Sequence, residues 1–123
     1  MNRVVIVTGS RKGLGYHLCN FFLLQGDIVY GCSRRNTSII HDNYTHFSLD
    51  VANEKNVVEM VRKIYKTHKK VDILINNAGS ASMNHFLLTP YSTAQKLINT
   101  NFMGTFLFCR EVSKLMIKQK SGR

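Results

Sequence analysis

The sequence predicts an α/β fold: a parallel sheet with helices on both faces and four strands in the order 3-2-1-4. Three observations lead there. Short apolar runs alternate with helix-length segments in the order β-α-β-β-α-β-α. The first run, Val4-Val5-Ile6-Val7, is continuous rather than alternating, as in a strand buried on both faces. The stretch Thr8-Gly9-Ser10-Arg11-Lys12-Gly13-Leu14-Gly15 follows it directly and opens a helix. With no repeat and no long linker, residues 1–123 form one domain.

The elements follow in order. Residues 13–25 read as a helix with Leu14, Leu18, Phe21 and Phe22 on its apolar stripe, ended by Gly26. Residues 28–32 are a second strand closed by Ser33-Arg34-Arg35-Asn36, and residues 36–45 are a polar loop. Residues 46–50 give a third strand. Asn53 suits the N-cap of the next helix, with Glu54 in its first turn and Val57, Val61 and Ile64 facing inward. Residues 71–75 form a fourth strand that runs into Asn76-Asn77-Ala78-Gly79, and residues 80–88 are a loop. Pro90 fits a first helical position. A long helical region then covers residues 91–118, kinked near Gly104, before a turn at 120–123.

Composition narrows the function classes. Hydrophobic residues make up 44 % and charged residues 20 % of the 123, which excludes a disordered chain. No apolar run approaches the ~20 residues of a membrane span. The start lacks the pattern of a signal peptide, and a cytoplasmic location is expected. Cys19, Cys32 and Cys109 are far apart with no CxxC, so buried free thiols are expected rather than disulfides or zinc. The five histidines show no metal-ligand spacing, and no metal is expected. The net charge of +10 is dispersed, and no recognition-helix motif accompanies it, which argues against a nucleic-acid binder. Only Arg11, Lys12, Arg34 and Arg35 flank the glycine turn.

In this strand order a ligand crevice opens at the carboxyl ends of strands 1 and 4. Both Gly9–Gly15 and Asn76–Gly79 fall there. Gly9, Gly13 and Gly15 allow a tight turn and let backbone N–H groups approach a phosphate at a helix N-terminus.

Four stretches, in order, now carry a resemblance. Thr8–Gly15 fits TGxxxGxG, Asp50-Val51 follows the third strand, Asn76–Gly79 is NNAG after the fourth, and Asn101 stands in Asn101-Phe102-Met103-Gly104. The sequence resembles the short-chain dehydrogenase/reductase family, most closely its 3-oxoacyl-acyl carrier protein reductase type. The resemblance spans the whole chain but only the first half of a usual member. It implies a Rossmann-type dinucleotide-binding domain. Gly9, Ser10, Arg11, Gly13, Leu14 and Gly15 would form the pyrophosphate turn. Asp50 and Val51 would hold the adenine, Asp50 accepting from its amino group. Asn76 would lie near the adenosine ribose, with Ala78 and Gly79 leaving room for the cofactor. Asn101 would belong to a proton relay, holding a water near the catalytic lysine. The asparagine pair equally suits tying loops together, and Asn101 equally suits a helix kink.

Charge selects the cofactor. An acidic residue after the second strand would bind a ribose 2′-hydroxyl and repel a 2′-phosphate. That position holds Ser33, followed by Arg34 and Arg35. Arginine donates two parallel hydrogen bonds to phosphate. NADP(H) is therefore expected, with Ser33 and Arg34 as its first contacts; the competing reading is that these arginines only solvate a loop.

The family's chemistry is hydride transfer between nicotinamide and a carbonyl or alcohol carbon, assisted by a serine and by a tyrosine whose pKa a lysine lowers. The family places that serine after a fifth strand and Tyr-x-x-x-Lys later still, where this chain has ended. Tyr65 and Lys69 share the spacing but precede the fourth strand, on a helix remote from the nicotinamide end, and are rejected. The expectation is an NADP(H)-dependent carbonyl reductase or alcohol dehydrogenase present as its cofactor-binding N-terminal half, inactive alone. In complete form it would act on a small carbonyl or alcohol as a homo-oligomer. The alternative is a non-catalytic dinucleotide-binding or regulatory module. A truncated sheet also leaves the fourth strand's edge uncovered, and the stripe Phe102, Phe106, Cys109, Val112 and Met116 partly exposed.

Overall fold

Val4–Thr8 forms β1, and all five residues are buried in the computed structural model, which describes residues 2–123. α1 (Gly13–Leu24), β2 (Ile28–Ser33), β3 (Tyr44–Ser48), α2 (Glu54–His68) and β4 (Ile73–Ile75) follow. A 3₁₀ turn (Phe86–Leu88), α3 (Tyr91–Ile98), a π-helical turn (Asn99–Met103) and α4 (Gly104–Gln119) complete the order. The strands lie as β3-β2-β1-β4, every pair parallel, which is the expected Rossmann-type order.

Strand alternation divides the core. Val4 and Ile6 join Tyr30, Val57, Ile64, Phe108 and Val112 under α2 and α4. Val5 and Val7 face the other way and pack with Cys19, Phe22, Leu23 and Val29 under α1. Each buried aliphatic or aromatic side chain is worth about 1.5–3 kcal/mol against exposure. The continuous run of β1 is the sequence signature of this two-sided burial. α2 starts as expected: the Asn53 side chain accepts from Asn56 N at 3.0 Å, and Glu54 sits in the first turn.

Several expectations need correction. α1 buries only part of the expected stripe, Phe22 with Leu18 packed beside it, and leaves Leu14 and Phe21 outside. Leu14 is 66 % exposed and Phe21 is exposed, while Gly15, Cys19, Phe22 and Leu23 face the sheet. The segment is apolar nearly all round, so its pattern does not choose a face. β3 begins two residues earlier than expected, because Tyr44 pairs with Val29 and its hydroxyl is held by Ser10 and His46. It also ends earlier, as Asp50 Oδ1 accepts from Ala52 N in a turn. β4 is shorter than expected because the Gln119 side chain takes over Val71, accepting from its N–H and donating to its carbonyl, both at 2.9 Å. Pro90 is the N-cap of α3 rather than its first residue. Cys109 is exposed, whereas Cys19 and Cys32 are buried and burial pushes both thiols up to about 12.

The kink near Gly104 is a π turn ending just before it. A Cβ at Gly104 would stand 2.5 Å from Val51 Cγ2, so the helix approaches the turn after β3 closely there. The expected turn at 120–123 ends against the sheet: Arg123 N donates to Asp72 O at 3.0 Å, and Leu74 N donates to Arg123 O at 2.8 Å. That pattern is a parallel bridge, and within the described residues Arg123 alone meets this edge of β4. No helix among the described residues is long and apolar enough to cross a membrane.

Candidate functional site

The carboxyl ends of β1 and β4 are clipped together by side chains. Thr8 Oγ1 accepts from Asn77 N at 3.0 Å and from Ala78 N at 2.9 Å. Asn77 Nδ2 donates to Gly9 O at 3.1 Å. On the other side Gly9 N and Ser10 N both donate to Cys32 O, at 2.9 and 3.1 Å. The glycine turn is thus fixed to both neighbours of β1 before any ligand enters.

Its three glycines have different tasks. Gly9 has φ +67°, and a Cβ there would stand 2.8 Å from Ala78 Cα. A Cβ at Gly15 would fall on the Gly9 carbonyl, so Gly15 packs α1 against the turn. Gly13 has φ +60° and faces open space, which leaves the mouth of the turn clear. Lys12 caps α1 with no side-chain hydrogen bond, and its first turn holds no acidic residue. The helix N-terminus therefore keeps unsatisfied N–H groups and an uncompensated positive dipole end, the requirement for an anion site.

A crevice of about 730 Å³ opens above this turn. Of the residues expected at a cofactor, Gly9, Arg11, Gly13, Ser33, Arg34, Asp50, Val51, Ala78 and Gly79 line it together. Ser10 lies fully buried beneath the turn, Leu14 points to solvent and Gly15 is packed under Gly9. Asn76 sits to the side: its Nδ2 approaches Cys109 Sγ at 3.3 Å, and its Oδ1 is buried with no partner among the described residues. Asn101 is turned to the neighbouring loop. Its Oδ1 accepts from Ser80 N and its Nδ2 donates to Ser80 O, both at 2.8 Å, so its amide anchors the loop to the π turn. No cluster of three metal-ligating side chains occurs among the described residues.

Sequence reasoning overlooked some members. Ser80 and Thr100 join the crevice wall, whereas the tie expected of the asparagine pair is made by Asn77, whose side chain clips the glycine turn. Tyr44 and His46 were read as loop and strand residues of no special role. They alternate onto one face of β3, across from Gly31 of β2. A glycine in mid-strand was the available signal that other side chains need its space. Tyr65 lies on α2 and Lys69 is its C-cap, with Lys69 Nζ 5.6 Å from the Tyr65 ring, and neither lines the crevice.

Comparison with known proteins agrees with this geometry. A family model described as short chain dehydrogenase matches residues 3–123. A chloroplastic chlorophyll(ide) b reductase NOL of Arabidopsis thaliana is 35 % identical over 96 % of this chain and 37 % of its own length. A 3-oxoacyl-(acyl-carrier-protein) reductase of Chlamydia pneumoniae is 30 % identical over 99 % of this chain and 53 % of its own. The solved structure of ElxO with NADP bound superposes with a TM-score of 0.90 at 32 % identity, covering 99 % of this chain and 53 % of that one. A short chain dehydrogenase of Leptospira borgpetersenii with bound NAD+ has the same fold, with a TM-score of 0.91 at 22 % identity over 97 % of this chain and 48 % of that one. The chain thus spans about half, or less, of the length of the proteins it matches.

Proposed function

The chain belongs to the short chain dehydrogenase family, and from that premise we propose that its crevice binds NADP(H) for a carbonyl reductase or alcohol dehydrogenase. The observation that carries this reading is the wall after β2. Ser33, Arg34 and Arg35 stand there with no acidic residue among them, and Arg11 and Lys12 line the same crevice. An arginine fork and a hydroxyl suit a 2′-phosphate, and an unpaired ribose 2′-hydroxyl has no carboxylate to meet at this point.

The residues present fit the cofactor elsewhere as well. The glycine turn offers the free N–H groups of the first turn of α1 to a pyrophosphate, beginning at Gly13, with Gly9, Ser10, Arg11, Leu14 and Gly15 shaping and supporting it. Asn76 Oδ1, buried and without a partner among the described residues, would accept from a ribose hydroxyl once the side chain turned from Cys109 toward the crevice. Asp50 and Val51 would flank the adenine, and Ala78 and Gly79 keep side chains out of its path. When bound, the cofactor supplies or accepts the hydride. Asn101, locked to Ser80, would fix the loop beside the nicotinamide and support a proton relay.

In this reading the acid–base residues come from sequence outside these 123 residues. The chain alone binds the cofactor and does not turn it over. The complete enzyme is cytoplasmic, homo-oligomeric and specific for a small carbonyl or alcohol. The test is a fluorescence titration of the 123-residue chain with NADPH and with NADH. A charge-assisted hydrogen bond of about 1.5–3 kcal/mol makes NADPH tighter by roughly 10- to 100-fold, and Arg34→Ala removes most of that margin. Equal affinity, or a preference for NADH, overturns the reading.

A further inference from the structure

A line of four side chains runs beneath the crevice from the glycine turn to the loop after β2. Ser10 Oγ lies 3.0 Å from the Tyr44 hydroxyl, which lies 2.8 Å from His46 Nδ1. His46 Nε2 is 2.9 Å from Ser33 Oγ and 2.9 Å from the Arg35 carbonyl. Ser33 Oγ also donates to the Arg35 carbonyl. We propose that His46 and Tyr44 are positioning residues: they hold the Ser33–Arg35 loop in register with the glycine turn and so determine how well the site distinguishes a 2′-phosphate from a 2′-hydroxyl.

The chemistry of the groups fixes the direction of each bond. The Arg35 carbonyl can only accept, so His46 Nε2 carries the proton and donates. In a neutral ring Nδ1 is then an acceptor, and the Tyr44 hydroxyl donates to it. Burial pushes the Tyr44 phenol up to about 12, so it keeps the proton it donates. Its oxygen is left to accept from Ser10, a fully buried residue of the glycine turn whose hydroxyl proton is shared with the Cys32 carbonyl 3.4 Å away. The chain of donors therefore runs one way, from Ser10 through Tyr44 and His46 to Ser33 and Arg35.

Gly31 shows that the space for this line is built into β2. A Cβ at Gly31 would fall on the Tyr44 hydroxyl and on Ser10 Oγ. The strand gives up a side chain where the two polar groups meet. At the far end Ser33 Oγ receives the His46 N–H and has its own proton to direct, toward Arg35 O in this structure and toward a phosphate oxygen when one is bound. Without the relay the Ser33 hydroxyl and the Arg35 carbonyl lose their tie to β3, while Leu49 N still donates to Ser33 O and Ser48 Oγ to Asn36 Oδ1. The glycine turn keeps its separate ties to Cys32, Asn77 and Ala78. Contacts made by the 5′-phosphate thus do not depend on His46.

This proposal rests on the NADP(H) reading, and the test separates the two. The probes are adenosine 2′,5′-bisphosphate, which carries the 2′-phosphate, and 5′-AMP, which does not. Their affinities are compared by calorimetry for the unaltered chain, His46→Ala, Tyr44→Phe and His46→Gln. A lost hydrogen bond of about 1 kcal/mol makes the preference for the bisphosphate about fivefold smaller in His46→Ala and Tyr44→Phe, with 5′-AMP affinity unchanged. His46→Gln, which keeps an N–H near the Nε2 position, restores most of the preference. An unaltered preference in both His46→Ala and Tyr44→Phe overturns the relay while the NADP(H) reading stands. So does an equal weakening of both probes, which would mark damage to the fold. If His46→Ala does not fold, Tyr44→Phe and His46→Gln decide. A starting chain with no preference for the bisphosphate removes the cofactor reading and the relay with it.

Discussion

Phe108 and Phe102 lie six residues apart on one helical run, yet Phe108 is fully buried and Phe102 is 66 % exposed. Phe108 belongs to the part of the molecule that closes on itself: β1 to β3, α2 and the body of α4 share one core under the sheet. Phe102 belongs to the flank beyond β4, with Met83, Phe86, Leu87, Leu88, Tyr91 and Ile98, all exposed. The difference is one of available partners. The first region supplies both sides of each contact from within these residues, while the second displays large apolar side chains with nothing in the described residues over them. Singly exposed apolar residues are ordinary, but a run of this size marks a surface that fits an interface. The crevice sits at the boundary: its wall of Ser33, Arg34 and Arg35 belongs to the closed region, and Ser80 and Thr100 belong to the open one.

Stability should divide the same way. Phe108→Ala is expected to cost about 3–5 kcal/mol, since it empties a fully packed site. Phe102→Ala should change stability by less than about 0.5 kcal/mol. Urea unfolding of the two variants measures both, and similar losses would erase the distinction. The next largest effect lies at the turn that joins the regions. Gly15→Ala drives a methyl group into the Gly9 carbonyl. It should lower stability by about 1–3 kcal/mol and abolish NADPH binding measured by titration, whereas Gly13→Ala, which meets open space, should retain more of both.

A smaller effect follows from Arg3 and Asp27 at the base of the closed region. Asp27 is buried and its carboxylate receives Arg3 Nη2 at 2.6 Å, Nε at 3.0 Å and the Arg3 backbone N at 3.1 Å. The hydrogen bonds from Arg3 hold the Asp27 carboxyl below its ordinary value despite burial. A lowered folded-state pKa stabilises the fold above the ordinary carboxylate value, and that contribution is lost as pH falls through the lowered value. Urea midpoints measured from neutral pH into acid should therefore fall, and Asp27→Asn should flatten that fall.

The sequence made the strand order legible because β1 is buried on both faces and its apolar run is unbroken. α2 was legible because its caps and inner face follow one period. The extent of α1 was legible too, but its buried face was not, since Leu14, Phe21, Phe22 and Leu23 spread apolar surface around it. Tyr44 and Thr45 read as loop because what places them in β3 is pairing to β2 and hydrogen bonds to distant residues, neither of which is local. Gln119 holding Val71, Asn101 holding Ser80 and the Ser10–His46 line are likewise contacts between segments far apart in sequence. Motif reading found most of the crevice wall for the opposite reason: the glycines, Ser33-Arg34 and Ala78-Gly79 each follow a strand whose end defines the crevice.

The most direct measurement is a two-dimensional amide NMR titration of the chain with NADPH. Binding in the crevice should shift the amides of Gly9, Gly13, Ser33, Arg34, Val51 and Gly79 and leave those of the lysine-bearing outer faces of α2 and α4 in place. Shifts confined to Lys63, Lys66, Lys114 and Lys118, with the glycine turn unmoved, would contradict a dinucleotide site at the ends of β1 and β4.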